Sequence, residues 1–169
     1  MTPIQVLFIL TSLALLGLGY LVVTTRNLVR AALYLIGTLF SVAVVFVLLE
    51  ASFLAVVQVV IYIGAIAILF IFAVMLTRRV MQDTGSQTNS NWLGAALVSL
   101  FLFGGLTYIL VSWGGASANA PALNLETDMV KELGIALVNP DAYILPFEVA
   151  SILLLAALIG AVVVAWDRD

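Results

Sequence analysis

The chain has 169 residues, 64% of them hydrophobic and 9% charged, with a formal net charge of −3 and neither cysteine nor histidine. Soluble domains carry about 25% charged residues, so this composition cannot cover a globular surface. It predicts an all-α integral membrane protein with no material for a soluble catalytic domain. The two missing residue types exclude disulfides, thiolate chemistry, iron–sulfur ligation and imidazole-held haem or metal from this chain. The acidic balance argues against a nucleic-acid partner.

At about 20 apolar residues per span, the sequence accommodates five transmembrane helices. The first predicted span, 4–23, has no basic residue before it and is long enough to cross, so it reads as a retained helix and not as a cleaved signal. A short polar link with Arg26 and Arg30 leads into the second span, 28–49, which ends at Glu50. The third span, 53–76, runs into Arg78 and Arg79, and residues 77–91 form a polar linker. The fourth span, 92–113, has tryptophan at both ends, as an aromatic belt requires.

Residues 114–143 form a long loop that opens on small residues. Within it Leu125, Met129, Val130, Leu133, Leu137 and Val138 recur at helical spacing, predicting a short amphipathic helix over 125–138. It would lie at the membrane interface or against a partner's loop. Asn139-Pro140-Asp141 ends it, and the fifth span follows at 145–166. Five spans place Arg26, Arg30, Arg78, Arg79 and Arg168 on one side and leave Lys131 on the other. The positive-inside rule then sets the N-terminus outside, the C-terminus in the cytoplasm and the 77–91 linker cytoplasmic.

Ionisable groups at membrane depth are functional candidates, and here no acid or base falls in the middle of a span. Glu50 and Glu148 sit at span ends. Glu50 reads as a solvated interfacial carboxylate. Glu148, after Pro146 and Phe147, reads as a helix N-terminal acid that the helix dipole favours. A lone proton carrier needs a central titratable group, so this chain can supply a wall, a gate or a water-lined surface. In the third span Gln58 and Tyr62 stand four apart and are expected to share a face turned toward another protein surface. Gly64 follows in Tyr62-Ile63-Gly64-Ala65. A glycine there fits a close helix contact, a kink or a π-bulge.

The run from Gln58 through Tyr62, Ile63, Gly64, Ala65 and Ile66 to Phe70, Phe72, Met75 and Leu76 resembles the third helix of subunit J of bacterial respiratory complex I, whose mitochondrial counterpart is NADH dehydrogenase subunit 6. Asn27 with Ala31-Ala32-Leu33, Phe53-Leu54, and the stretch Leu145-Pro146-Phe147-Glu148 through Ser151, Ile159, Gly160 and Ala161 resemble the same family. The resemblance implies a non-catalytic, multi-pass subunit of a proton-translocating NADH:quinone oxidoreductase in a bacterial cytoplasmic membrane. It implies no cofactor in this chain, although the complex uses FMN, iron–sulfur clusters, NADH and quinone. The partners it implies are subunits K, A, H and N and the lipid bilayer. It places a gating π-bulge at Tyr62, Ile63, Gly64 and Ala65. Gln58, Phe70, Phe72 and Met75 become candidates for lining a water path. The competing readings are a purely structural scaffold in the same complex and a free-standing small transporter. For the transporter the spans offer little beyond Gln58, Tyr62 and scattered hydroxyls.

Overall fold

The computed structural model describes residues 2–77, 90–113 and 128–166. Among them every regular element is helical, and five helices are long and apolar enough to cross a membrane. The chain forms two compact units, Met1–Ala116 and Ser117–Asp169.

In the first unit, α1 (Pro3–Thr24) starts at a reciprocal cap. The Thr2 hydroxyl accepts from the Gln5 N–H at 3.4 Å, and the Gln5 side chain accepts from the Thr2 N–H at 2.9 Å. Pro3 at the first helical position loses no bond there, because that N–H has no helical partner. Three residues later α2 (Leu28–Leu48) begins on Asn27, whose side-chain oxygen accepts from the Val29 and Arg30 N–H groups at 3.0 and 3.2 Å. So short a link returns α2 against α1. At their seam Gly37 leaves room for Leu18: a Cβ built on Gly37 would lie 2.9 Å from the Leu18 Cδ1.

α3 (Ser52–Leu76) packs on α2 as well, so α2 lies against both neighbours and joins α1 to α3. The buried residues are small: Ala31, Ala32, Ser41 and Ala43 on α2, and Ala55, Gln58, Ala67 and Val74 on α3. Small side chains let helix backbones approach closely, which is the main source of helix–helix attraction where lipid is as apolar as leucine. The bulky residues point outward, as a lipid- or protein-covered surface allows. α4 (Trp92–Ser112) is exposed along its whole length. The predicted linker lies outside the described residues from 78 to 89, and so do Arg78, Arg79 and Arg168.

In the second unit, α5 (Met129–Val138) starts one turn later than the predicted 125–138 helix. Asp128 is its cap and accepts from the Lys131 N–H at 3.2 Å, so the helix begins after it. Residues 125–127 are outside the described set. Asn139 turns the chain, its side chain accepting from the Asp141 N–H at 3.1 Å, and the Tyr143 N–H returns to the Ala136 carbonyl. α6 (Ile144–Ala165) follows.

Candidate functional site

α3 changes register along its length. Ser52–Val57 is α-helical, Gln58–Ala67 is π-helical, and Ile68–Leu76 is α-helical again. The π stretch is ten residues, wider than the predicted bulge over Tyr62–Ala65, and includes it. The Gln58 N–H reaches both the Leu54 and Ala55 carbonyls at the entry, and the Ile68 N–H reaches the Ala65 carbonyl at the exit.

The physical reason for the wide turn lies in which residues meet α2. The sheltered positions of α3 are Ala55, Val57, Gln58, Ile63, Ala67, Ile71 and Val74. Apart from Val57, their spacing is three, then five, four, four and three. An α-helix turns about 100° per residue, so Gln58 and Ala67, nine apart, would end about 180° from one another. Both are buried, at 7% and 1% exposure, on a helix whose neighbour in this unit is α2. The i→i+5 winding brings them onto one face. The π stretch thus keeps the alanine and valine of the distal half against α2 and leaves Leu69, Phe72 and Leu76 outside.

Gln58 is the polar group inside this seam. Its Nε2 donates to the Leu39 carbonyl of α2 at 3.4 Å. This corrects the expectation that Gln58 and Tyr62 share an outward face: Gln58 is spent within the chain, while Tyr62 is 47% exposed. Five hydroxyls of the spans are used locally. Thr38, Ser41, Ser99, Thr107 and Ser151 each donate to the carbonyl four residues earlier in their own helix, the usual refuge of a hydroxyl in an apolar medium. Among the described residues no group of three His, Cys, Asp or Glu side chains could hold a metal.

Of the four gate candidates, Ile63 is half-buried while Tyr62, Gly64 and Ala65 face outward. A Cβ on Gly64 would meet one atom within 4 Å, the Val59 carbonyl oxygen of its own helix at 3.4 Å. Among the described residues Gly64 is therefore no close helix contact. Phe70, Phe72 and Met75 are exposed too, so any path they line is completed from outside the chain.

Glu50 sits at the exposed end of the second span, as its sequence reading has it, whereas Glu148 sits differently from its own. Glu50 is not on α3, which starts at Ser52. It closes α2 in a left-handed conformation, φ 60°, with the Glu50 N–H on the Val47 carbonyl and the Ala51 N–H on the Phe46 carbonyl. That paired arrangement is normally finished by glycine, and a side chain there costs on the order of 1 kcal/mol. Glu148 is not a first-turn acid. α6 begins at Ile144, its first turn has no acid, and Glu148 lies one turn in. Pro146 falls third in the helix, where its missing N–H is still harmless.

Two features escaped the sequence reading. The Gly37–Leu18 contact joins residues 19 apart, and no local pattern marks it. The Asn27 cap had a signal that could have found it, asparagine directly before an apolar helical run.

Comparison with known proteins gives a consistent answer. A sequence model of NADH-ubiquinone/plastoquinone oxidoreductase chain 6 matches residues 18–164. The F(420)H(2) dehydrogenase subunit J of Methanosarcina mazei is 39% identical over 160 residues, 94% of this chain and 88% of the relative. NAD(P)H-quinone oxidoreductase chain 6 of a Synechocystis species is 33% identical over 94% of this chain and 78% of its own length. NADH-quinone oxidoreductase subunit J of Pseudomonas aeruginosa is 35% identical over 83% of each chain. With its sequence matched by the family model over residues 18–164 and five helices long and apolar enough to cross a membrane, the chain belongs to the NADH-ubiquinone/plastoquinone oxidoreductase chain 6 family.

Proposed function

We propose that this chain is a membrane subunit of a proton-pumping quinone oxidoreductase, that it carries no electrons itself, and that α3 is a two-state element gating a water path. Membership of the family supports the first part. The relatives are named for three different donors, F(420)H(2), NAD(P)H and NADH, yet match this sequence along most of its length. What they share over this chain is therefore not donor recognition. Flavin, iron–sulfur clusters, donor and quinone belong to other subunits, and subunits K, A, H and N are the neighbours this reading supplies. The basic residues Arg26, Arg30, Arg78, Arg79 and Arg168 support an orientation with the N-terminus outside and the C-terminus in the cytoplasm.

The observation that carries the gate is the π stretch at Gln58–Ala67. Each residue of register lost on return to α winding rotates the distal half of α3 by roughly 100°. Ala67 and Val74 then leave α2, and the bulky exposed groups Phe70, Phe72 and Met75 swing past a neighbouring surface. Quinone reduction drives that rotation only if it binds the two helix states with different affinity.

The chain has no cysteine, so a single cysteine at position 72 reports on water access with a membrane-impermeant maleimide. Its labelling rate in the assembled complex is expected to change between resting enzyme and enzyme turning over quinone. Equal rates in both states would remove the gate and leave α3 as scaffold. Failure of the tagged wild-type chain to co-purify with other membrane subunits would instead favour a free-standing transporter.

A further inference from the structure

Glu50 occupies a position that opposes it twice. Its backbone is left-handed, φ 60°, where glycine is unstrained. Its charge also stands at the C-terminal end of α2, where the unsatisfied carbonyls are already negative. Among the described residues, none gives the exposed carboxylate a hydrogen bond or ion pair in return. The two backbone bonds that close the turn hold the residue in a fixed place.

The same turn joins α2 to α3, and these two helices enclose an apolar trough of volume ≈ 420 Å³. Val47 and Ser52, which bracket Glu50 in the chain, line it. Its lining includes the buried alanines Ala43 and Ala55 together with the exposed Phe40 and Val56. An occupant must be apolar along its length and can approach closely over the alanines. Glu50, between two lining residues in the chain and unpaired among the described residues, calls for a cation at the end of that occupant.

We propose that the trough seats a transmembrane helix of a neighbouring subunit, whose lysine or arginine at the membrane boundary pairs with Glu50. The inference rests on the reading of this chain as a subunit of a membrane complex. An apolar helix with a basic residue at its boundary is a common span type, and it matches both features. Small residues in the trough are the pattern of helix–helix contact, and a fixed carboxylate suits a partner equally fixed. A lipid ammonium headgroup could supply the same cation, and the experiment separates the two.

The test uses the whole complex, purified through a tag on another membrane subunit, with this chain quantified after a detergent wash. If the wild-type chain is absent from the complex, the reading as a subunit fails and the inference fails with it. With the wild type retained, Glu50→Gly and Glu50→Gln are each expected to lower retention about threefold at low salt, a size ordinary for one ion pair. Glu50→Asp should keep most of it, and high salt should bring the wild type down to the glycine variant. Glycine relieves the backbone and removes the charge from the helix end, so loss on that substitution is not a folding defect of the turn. Retention of the glycine variant at or above wild type overturns the pairing and leaves the subunit assignment standing. Repeating the wash after transfer to phosphatidylglycerol bilayers, which lack an ammonium headgroup, should preserve the difference. Its disappearance there overturns the helix partner in favour of a lipid.

Discussion

Gly37 and Gly64 lie in neighbouring helices of one unit, and their surroundings are opposite. A side chain on Gly37 would press into Leu18 of α1, while among the described residues one on Gly64 would meet only the Val59 carbonyl of its own helix. The first glycine holds two helices together; the second lies in a stretch of altered winding. What a helical glycine does depends on what faces its missing side chain, and residue type alone does not show that. Substitution should therefore separate the two sites: damage at Gly37 falls on folding, and damage at Gly64 falls on turnover.

The largest effect is expected from Gly37→Val. Overfilling a close seam costs about 1–3 kcal/mol, so the variant should accumulate poorly in membranes and lower the thermal stability of the assembled complex. Leu18→Ala makes room in the same place, and adding it should recover much of the loss, since residues in contact are not additive. Full accumulation of Gly37→Val alone would show that the α1–α2 seam yields, and the contrast between the glycines would collapse.

Next in size is Gly64→Val. Among the described residues no neighbouring helix comes within 4 Å of a Cβ at that position, so assembled complex should stay near wild-type abundance. Branched γ-carbons extend a side chain already in contact with Val59 O, which disfavours π winding. Quinone-linked turnover and proton pumping per assembled complex are expected to fall together by roughly three- to tenfold, equivalent to about 0.7–1.4 kcal/mol. Normal activity at reduced abundance would make Gly64 a packing residue against another subunit.

The same contrast explains what could be read beforehand. Five spans were legible because hydrophobic run length and flanking polar residues determine them, and tertiary packing barely enters. The start of α6 was less so: Pro146 looks like a first helical residue, yet Ile144 and Leu145 precede it in the helix and carry Glu148 beyond the first turn. The extent of the π stretch was hidden for a physical reason. Between Gln58 and Leu76 the helix is apolar on every side apart from the Tyr62 hydroxyl, so no periodicity reveals which face is inward. The register is chosen by fit to the small residues of α2, a contact made across the hairpin. Gln58 drew notice as a lone amide in an apolar run, and its partner, a backbone carbonyl 19 residues away, leaves no mark in the sequence.

Gln58→Leu probes whether the amide or the alanine stripe holds the α2–α3 seam. The bond to Leu39 is long at 3.4 Å, and a neutral hydrogen bond contributes about 0.5–1.5 kcal/mol net. Leucine is similar in volume and removes the buried amide along with its bond, so the loss should lie at the low end or below. Thermal stability of the complex should change little and turnover should persist. A collapse of either would mean that the amide serves a bound water or an outside group, and would move the centre of the gate from the winding at Gly64 to the amide of Gln58.

The smallest effect, and the finest test of the comparison, is Gly64→Ala. Two opposing terms meet there. Alanine favours a helix over glycine by about 0.8–1.0 kcal/mol, which should strengthen α3 in either winding. Its Cβ would sit 3.4 Å from the Val59 oxygen in the π register, the near edge of ordinary contact, which removes part of that gain from the π state alone. The α register has no i−5 carbonyl drawn into the same turn, so it keeps the full benefit. Alanine should therefore leave assembly at wild-type level, lower turnover by less than about twofold, and fall between glycine and valine. A graded glycine, alanine, valine series in turnover with flat abundance ties activity to the winding of α3. If alanine equals glycine while valine alone fails, the side chain is striking a neighbour, and the winding of α3 is not what limits the rate.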